Sequence, residues 1–166
     1  MSQQKTDILI IGLGLAGITA ALTAAKSGKK ITIITKTKNK SSGSTPWAQG
    51  GVVYKGLKDS PLELKKDILG AGAGHCWDEA VEHLCKHGPR LVEKLLIDTL
   101  QVPFNSNEAG LERVAEGAHS TPRVLYHADK TGKSIHDIAL KHLESIKNVE
   151  ILTNHTAIDL LTFSHH

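Results

Sequence analysis

Apolar positions along the chain follow two spacings, and they alternate. Ile8-Leu9-Ile10-Ile11 is an unbroken aliphatic run, the pattern of a short parallel strand covered on both faces. Leu15 to Ser27 then reads as a helix rich in small residues, with Ala16, Ala20, Ala21, Ala24 and Ala25 letting it lie close on a sheet. Gly28 is its expected C-cap, and Lys26, Lys29 and Lys30 gather at the negative end of its dipole. Ile31 to Ile34 is a second β-rich run. Residues 7–34 therefore predict a β-α-β unit with a right-handed crossover.

Helical spacing returns further on. Ser60-Pro61-Leu62-Glu63 is a helix start, with a serine N-cap, proline in the first turn and a glutamate completing a capping box. That helix carries Leu62, Ile68 and Leu69 and dissolves at Gly70-Ala71-Gly72-Ala73-Gly74. Asp78 is the expected cap of the next helix, with Val81, Leu84 and Cys85 on one face. Gly88-Pro89 should break it, and Leu91, Val92, Leu95 and Leu96 resume the spacing to about Leu100. After Val102-Pro103-Phe104 a polar loop runs through Gly110. Gly132 to Lys147 is amphipathic, with Ile135, Ile138, Ala139, Leu143 and Ile146 on one stripe and Asn148 ending it. Val149 to Leu152 gives a third β run and Ala157 to Phe163 a fourth. The alternation predicts an α/β fold with a parallel sheet and flanking helices.

The first strand runs into Gly12-x-Gly14-x-x-Gly17 and then a helix. In a nucleotide site Gly12 permits the tight turn, Gly14 removes a Cβ so that a pyrophosphate reaches the backbone, and Gly17 lets helix and strand pack closely. The helix N-terminus offers N–H groups and a positive dipole end to phosphates. The competing reading is a structural glycine turn in an unrelated α/β domain; strand, turn, helix and second strand in sequence favour the nucleotide site.

Composition narrows the classes. The 166 residues are one domain's worth, and a net charge of +3 with few aromatics gives no argument for nucleic acid. Cys76 and Cys85 make no disulfide framework and suit a reducing compartment. Ile8 to Ala25 carries no charge, which an export segment or a membrane helix would also show; Asp7 at its edge and the three spaced glycines argue against both. A cytoplasmic protein without a membrane partner is the expectation.

Where a dinucleotide site places an acidic ribose ligand after its second strand, this chain has Thr35-Lys36-Thr37. No acidic residue lies between Asp7 and Asp59, while Lys36, Lys38, Lys40, Lys55 and Lys58 are basic. That disfavours NAD and favours a phosphate-rich ligand held differently, unless the lysines only decorate a surface loop. Ser41 to Val53 supplies hydroxyls, glycines, Trp47 and Gln49 in loop chemistry. A second cluster, Glu112 to Gly132, places Glu116, His119, Ser120 and Arg123 within eight positions. Glu116 suits an ammonium, and Arg123 and His119 suit carboxylates; a surface loop of mutually screened charges is the alternative. His75, Cys76, His83, Cys85 and His87 raise zinc, but only His83 and His87 share a chelating spacing and no third ligand is placed, so no metal is expected.

Taken together, Asp7 to Gly17, Gly43 to Gly51, Ala71 to Gly74, Glu116 to Ser120 and Ala128 to Gly132 resemble, in this order, the N-terminal part of the L-aspartate oxidase family. That family lies within the fumarate reductase/succinate dehydrogenase flavoprotein superfamily, and the resemblance runs along essentially the whole chain. It implies a Rossmann-like FAD-binding fold, incomplete at the C-terminus. Residues 1–166 would be the N-terminal part of the FAD-binding domain, with the capping domain and later FAD contacts absent. FAD would be held by Gly12, Leu13, Gly14, Leu15, Ala16 and Gly17, its pyrophosphate at Leu13 to Ala16. Lys36 and the loop Ser44, Thr45, Pro46, Trp47, Ala48, Gln49, Gly50 and Gly51 would line the rest. Glu116 and His119 would orient the substrate. The implied reaction oxidises L-aspartate to iminoaspartate, with oxygen or fumarate as acceptor. The product would pass to quinolinate synthase and NAD synthesis. Two departures matter. Ser44 stands where covalent relatives carry the FAD-linking histidine, so FAD should be non-covalent and the oxidase is a better match than a fumarate reductase or succinate dehydrogenase. The catalytic arginine and histidine would lie beyond residue 166, which leaves a catalytically silent FAD-binding remnant as a third reading.

Overall fold

The structure is a computed structural model that describes residues 3–162. In chain order it contains β1 (Ile8–Ile11), α1 (Leu15–Ala25), β2 (Ile31–Thr35), a 3-10 turn (Thr45–Trp47), β3 (Val52–Val53), α2 (Pro61–Ala71), α3 (Asp78–Val92) with a π-helical continuation (Glu93–Thr99), β4 (Ser106–Asn107), β5 (Gly110–Leu111), β6 (Val124–Leu125), α4 (Thr131–Glu144) and β7 (Val149–Thr153). It divides into two compact units. One comprises the described residues up to Pro46 and from His136 onward, the other Trp47–Ile135.

The first unit is a parallel three-stranded sheet in the order β1-β2-β7. Ile8 pairs with Ile31, and Ile31 with Val149, so the third strand of the sheet lies beyond β2, away from β1. Parallel strands in this order, joined by a helical crossover, are the pattern of a nucleotide-binding β-α-β sheet. Two-sided burial belongs to the central strand: Ile31, Thr32 and Ile33 are buried. The expectation that β1 is covered on both faces fails: Leu9 and Ile11, which share one face, are 52% and 67% exposed, while Ile8 and Ile10 on the other face are half-buried. An aliphatic run marks a strand but does not say where the sheet order puts it.

Helix α1 buries Ile18, Ala21 and Leu22 and ends with Lys26 as C-cap; Gly28, the expected cap, takes its positive φ of 73° two residues later. Asn148 joins the strand entrances, donating from Nδ2 to the carbonyls of Ala25 and Lys29. Asp7 Oδ2 accepts the Lys30 N–H at 2.8 Å. The C-terminal part of α4 buries Ala139, Leu140 and Leu143 and stops at Glu144, three residues before the expected Lys147. The fourth strand is absent across residues 157–162, where Ile158, Leu160 and Leu161 are exposed; Phe163 and Ser164 to His166 lie outside the described residues.

In the second unit α2 and α3 pack through Leu64, Val81 and Cys85, with Val53, Ile68, Leu69 and Cys76 around them. Leu84 is not part of this face and is 53% exposed. Ser60 Oγ accepts the Glu63 N–H, but the Glu63 carboxylate turns to Lys66, so only half of the capping box forms. Trp77, not Asp78, is the N-cap of α3. Pro89 does not break α3, which continues to Val92 and then widens. Proline removes one helical bond and crowds the preceding turn. The register relaxes soon afterwards into π spacing, with the Leu100 N–H donating to the Leu95 carbonyl. Part of the expected polar loop is the β4–β5 hairpin, and β3 pairs antiparallel with β6, Val52 opposite Leu125.

Candidate functional site

Three glycines shape the turn after β1, each for a separate reason. Gly12 has φ +105°, a conformation that favours glycine. At Gly17 an added Cβ would sit 2.0 Å from the Gly12 carbonyl oxygen, so only glycine lets α1 close on the turn. Gly14 is different. Its φ of −77° and ψ of 178° are open to any residue, and an added Cβ would make only ordinary contact with Thr45 Oγ1 at 3.5 Å. The protein itself does not demand glycine there; a ligand pressing on the backbone would. Gly14 is the N-cap of α1, with no side-chain cap and no acidic residue in the first turn. A bare, positively poled helix start suits a pyrophosphate. Thr45 Oγ1 accepts the Leu15 N–H at 3.2 Å, tying the loop to the helix start. The Leu13 carbonyl faces His136 Nε2 at 3.0 Å, a partner that sequence reading missed. Ala16, Lys36 and Ser44 are exposed, and Pro46 is half-buried.

The second unit holds the other half of the candidate residues. Trp47 is 79% exposed, and Ala48, Gln49, Gly50 and Gly51 are exposed with it. The Ala48 carbonyl accepts the Gly132 N–H at 2.8 Å, which anchors this loop to the start of α4. Gly51 has φ +155°, and a Cβ there would lie 2.5 Å from Val124 Cγ1 and 2.6 Å from the Leu125 carbonyl oxygen. At Gly50 an added Cβ would meet Glu116 Oε2 at 2.9 Å. The Glu116 carboxylate thus lies on the Gly50 backbone, bringing together two stretches far apart in sequence. Glu116 is exposed, and no hydrogen bond or ion pair among the described residues engages its carboxylate.

Arg123 has a task other than the one expected. It is fully buried, and its guanidinium is committed inside the unit. Nε and Nη2 donate to the two oxygens of Asp59 at 2.8 Å each, a bidentate pair. Nη1 donates to Asp67 Oδ2 at 2.5 Å and to His119 Nδ1 at 3.0 Å. Asp67 Oδ2 also accepts the N–H and hydroxyl of Ser120. The Ser120 N–H, then Arg123, hold the Asp67 carboxyl down at about 2. Burial pushes the Asp59 carboxyl up, and Arg123 with the N–H groups of Gly56 and Ser60 more than reverses this, leaving it lowered. Burial alone would lower the Arg123 guanidinium, and the two carboxylates raise it instead. Arg123 is therefore unavailable to a substrate carboxylate; it braces α2 against the loop that carries Glu116. Because arginine only donates, His119 Nδ1 is an acceptor and its ring proton sits on Nε2. Asp59 and Asp67 carried no signal in the sequence, since their pairing with Arg123 is non-local.

His83 and His87 rings lie 4.6 Å apart on α3, Cys76 Sγ reaches the Ile68 carbonyl, and burial pushes the Cys85 thiol up. Among the described residues no three ligating side chains converge. No helix there is long and apolar enough to cross a membrane.

The FAD binding domain family matches residues 7–165. An L-aspartate oxidase of Halobacterium salinarum is 42% identical over 157 residues, 95% of this chain and 30% of that protein. One from Synechocystis is 35% identical over 161 residues, 96% of this chain and 28% of that protein. A solved quinol-fumarate reductase with menaquinol molecules superposes with a TM-score of 0.87 at 24% identity, over 98% of this chain and 28% of that one, a likeness of fold. The chain spans less than a third of the length of these relatives.

Proposed function

The chain belongs to the FAD binding domain family, and from that premise we propose that it is the N-terminal part of an FAD-dependent L-aspartate oxidase. The capping domain, the later FAD contacts and the arginine and histidine of the proton chemistry would then lie beyond residue 166. When bound, FAD supplies the hydride acceptor for oxidation of L-aspartate to iminoaspartate, with oxygen or fumarate as terminal acceptor. The chain's own residues bind and orient. N–H groups of Leu13 to Ala16 take the pyrophosphate at the start of α1, Gly12, Gly14 and Gly17 clear the space, and Lys36 and the loop Ser44 to Gly51 line the cofactor. Ser44 carries no imidazole, so FAD is held without a covalent link. Iminoaspartate would feed quinolinate synthase and NAD synthesis in the cytoplasm.

The observation that carries the substrate assignment is Glu116, an exposed carboxylate laid on the Gly50 backbone with no cation of the described chain upon it. An anionic group there attracts an ammonium and repels a plain dicarboxylate, which favours aspartate over succinate. His119, presenting its Nε2–H, donates to a substrate carboxylate.

Two measurements test this. Titration of the purified chain with FAD and with NAD, followed by Trp47 fluorescence in a Trp77→Phe background, should give saturable quenching by FAD alone; quenching by NAD overturns the flavin reading. In the complete FAD-loaded protein under anaerobic conditions, L-aspartate should bleach the flavin and succinate should not. Bleaching by succinate alone assigns a succinate dehydrogenase-like activity, and bleaching by neither assigns a silent FAD-binding remnant. The 166-residue chain by itself should not reduce FAD with aspartate, because hydride transfer needs a substrate clamped in near-attack geometry with water excluded.

A further inference from the structure

Gly14 solves one problem and creates another. Without a Cβ it lets a pyrophosphate approach, but it also frees the Leu13–Gly14 peptide to rotate. In a planar trans peptide the carbonyl of one residue and the N–H of the next point in opposite directions. A flip of that peptide would turn the Gly14 N–H away from the ligand side and present the Leu13 carbonyl oxygen to a phosphate instead. Something must hold it.

The Leu13 carbonyl lies 3.0 Å from Nε2 of His136, a residue of α4 that is 0% exposed. A carbonyl only accepts, so His136 must carry a proton on Nε2. Its Nδ1 is buried without a hydrogen-bond partner and lies 3.9 Å from Asp137 Oδ1, beyond hydrogen-bonding reach. The geometry therefore assigns a proton to Nε2, the nitrogen that faces the carbonyl. Leu13 is itself only 4% exposed, so the bond is made in a dry setting where it is directional and costly to lose.

We propose that His136 is a positioning residue of the cofactor turn: donating from Nε2–H, it clamps the Leu13 carbonyl inward and so holds the Gly14 N–H outward toward the FAD pyrophosphate. The proposal uses FAD only as the family's ligand and does not depend on the aspartate reading. It assigns function to a buried histidine that a bland reading would count as core.

Two measurements decide it. Side-chain nitrogen NMR on the histidine-labelled chain at neutral pH, without ligand, should show His136 protonated at Nε2. A ring bare at Nε2 overturns the proposal. Binding of ADP, which carries the pyrophosphate without the flavin, and of FAD is then compared in wild type, His136→Gln and His136→Leu. His136→Leu should weaken both ligands by the same factor, roughly fivefold to tenfold. His136→Gln, which still offers an N–H donor, should restore most of that affinity. Unchanged affinity in a folded His136→Leu chain means the histidine is structural only, and the proposal falls. Should wild type bind neither ligand, the proposal falls as a statement about the cofactor, whereas binding of FAD with no reduction by aspartate counts against the oxidase reading alone.

Discussion

Replacing Arg123 with methionine tests the claim that this arginine braces the fold and does not bind substrate. Methionine keeps the length and apolar stem but removes five N–H donors. Asp59, whose side chain is 4% exposed, would lose a bidentate partner and remain as a buried carboxylate. Removing one member of a buried ion pair costs about 3–5 kcal/mol, mostly from stranding the other charge. Total stability for a small protein is about 5–15 kcal/mol, so the second unit should lose a large fraction of its margin. At about 2–4 °C per kcal/mol for a chain of this size, Tm should fall by roughly 10–15 °C. The assay is urea unfolding with linear extrapolation, repeated for Asp59→Asn and for the double variant. If the pair acts as a unit, the double variant should be hardly worse than Arg123→Met alone, and the coupling should exceed about 2 kcal/mol.

Acid adds an independent signature. The Asp67 carboxyl stands at about 2 in the fold against an ordinary 3.8. A lowered pKa contributes stability that is fully present above the unfolded value and is lost as pH falls through the folded one. Wild type should therefore lose this contribution between about pH 4 and pH 2. Arg123→Met retains only the Ser120 part of the effect and should show a shallower acid slope there. A loss below about 1 kcal/mol for Arg123→Met, with unchanged acid behaviour but weakened substrate binding, would refute the bracing account and return Arg123 to the ligand.

Further outcomes follow from the turn and from Glu116. Gly14→Ala should leave unfolding within about 1 kcal/mol of wild type, since φ and space both allow a Cβ, yet weaken FAD about tenfold or more in a fluorescence titration. Gly17→Ala should lower stability by at least ~2 kcal/mol as well as FAD affinity, because its Cβ would strike the Gly12 carbonyl; urea melts separate the two variants. Glu116→Gln in the complete FAD-loaded protein should raise KM for L-aspartate at least about tenfold with FAD affinity unchanged, and a normal KM would remove Glu116 from the substrate site.

What was legible in the sequence was what the chain settles locally. Strand, glycine turn, helix and second strand between Asp7 and Thr35 are set by neighbouring residues, and they stand where spacing placed them. Errors began where a property depends on residues far away. An aliphatic run could not say that one face of β1 is left open, because exposure of Leu9 and Ile11 is decided by what packs on that face of the sheet. Pro89 read as a breaker because proline's cost is local, while packing of α3 on α2 through Val81, Cys85 and Leu64 is not. The fourth β run had the composition of a strand, but residues 157–162 form no strand in the described structure.

The cluster from Glu112 to Gly132 shows most clearly how chemistry and position part company. Glu116 and Arg123 sit within eight positions, and both looked equally fit to hold a substrate. Backbone pairing separates them. Arg123 is threaded into the β layer, its N–H on the Val114 carbonyl and its own carbonyl accepting the Tyr54 N–H, so its side chain is drawn inside to Asp59 and Asp67. Glu116 lies just before Gly117, whose φ of +57° turns the chain, and its carboxylate stays out over Gly50. The inward cation is committed to two inward carboxylates and leaves no positive charge for a ligand, whereas the Glu116 carboxylate stays exposed. On the proposed reading, that exposed negative charge is what would favour an ammonium-bearing acid over a plain dicarboxylate.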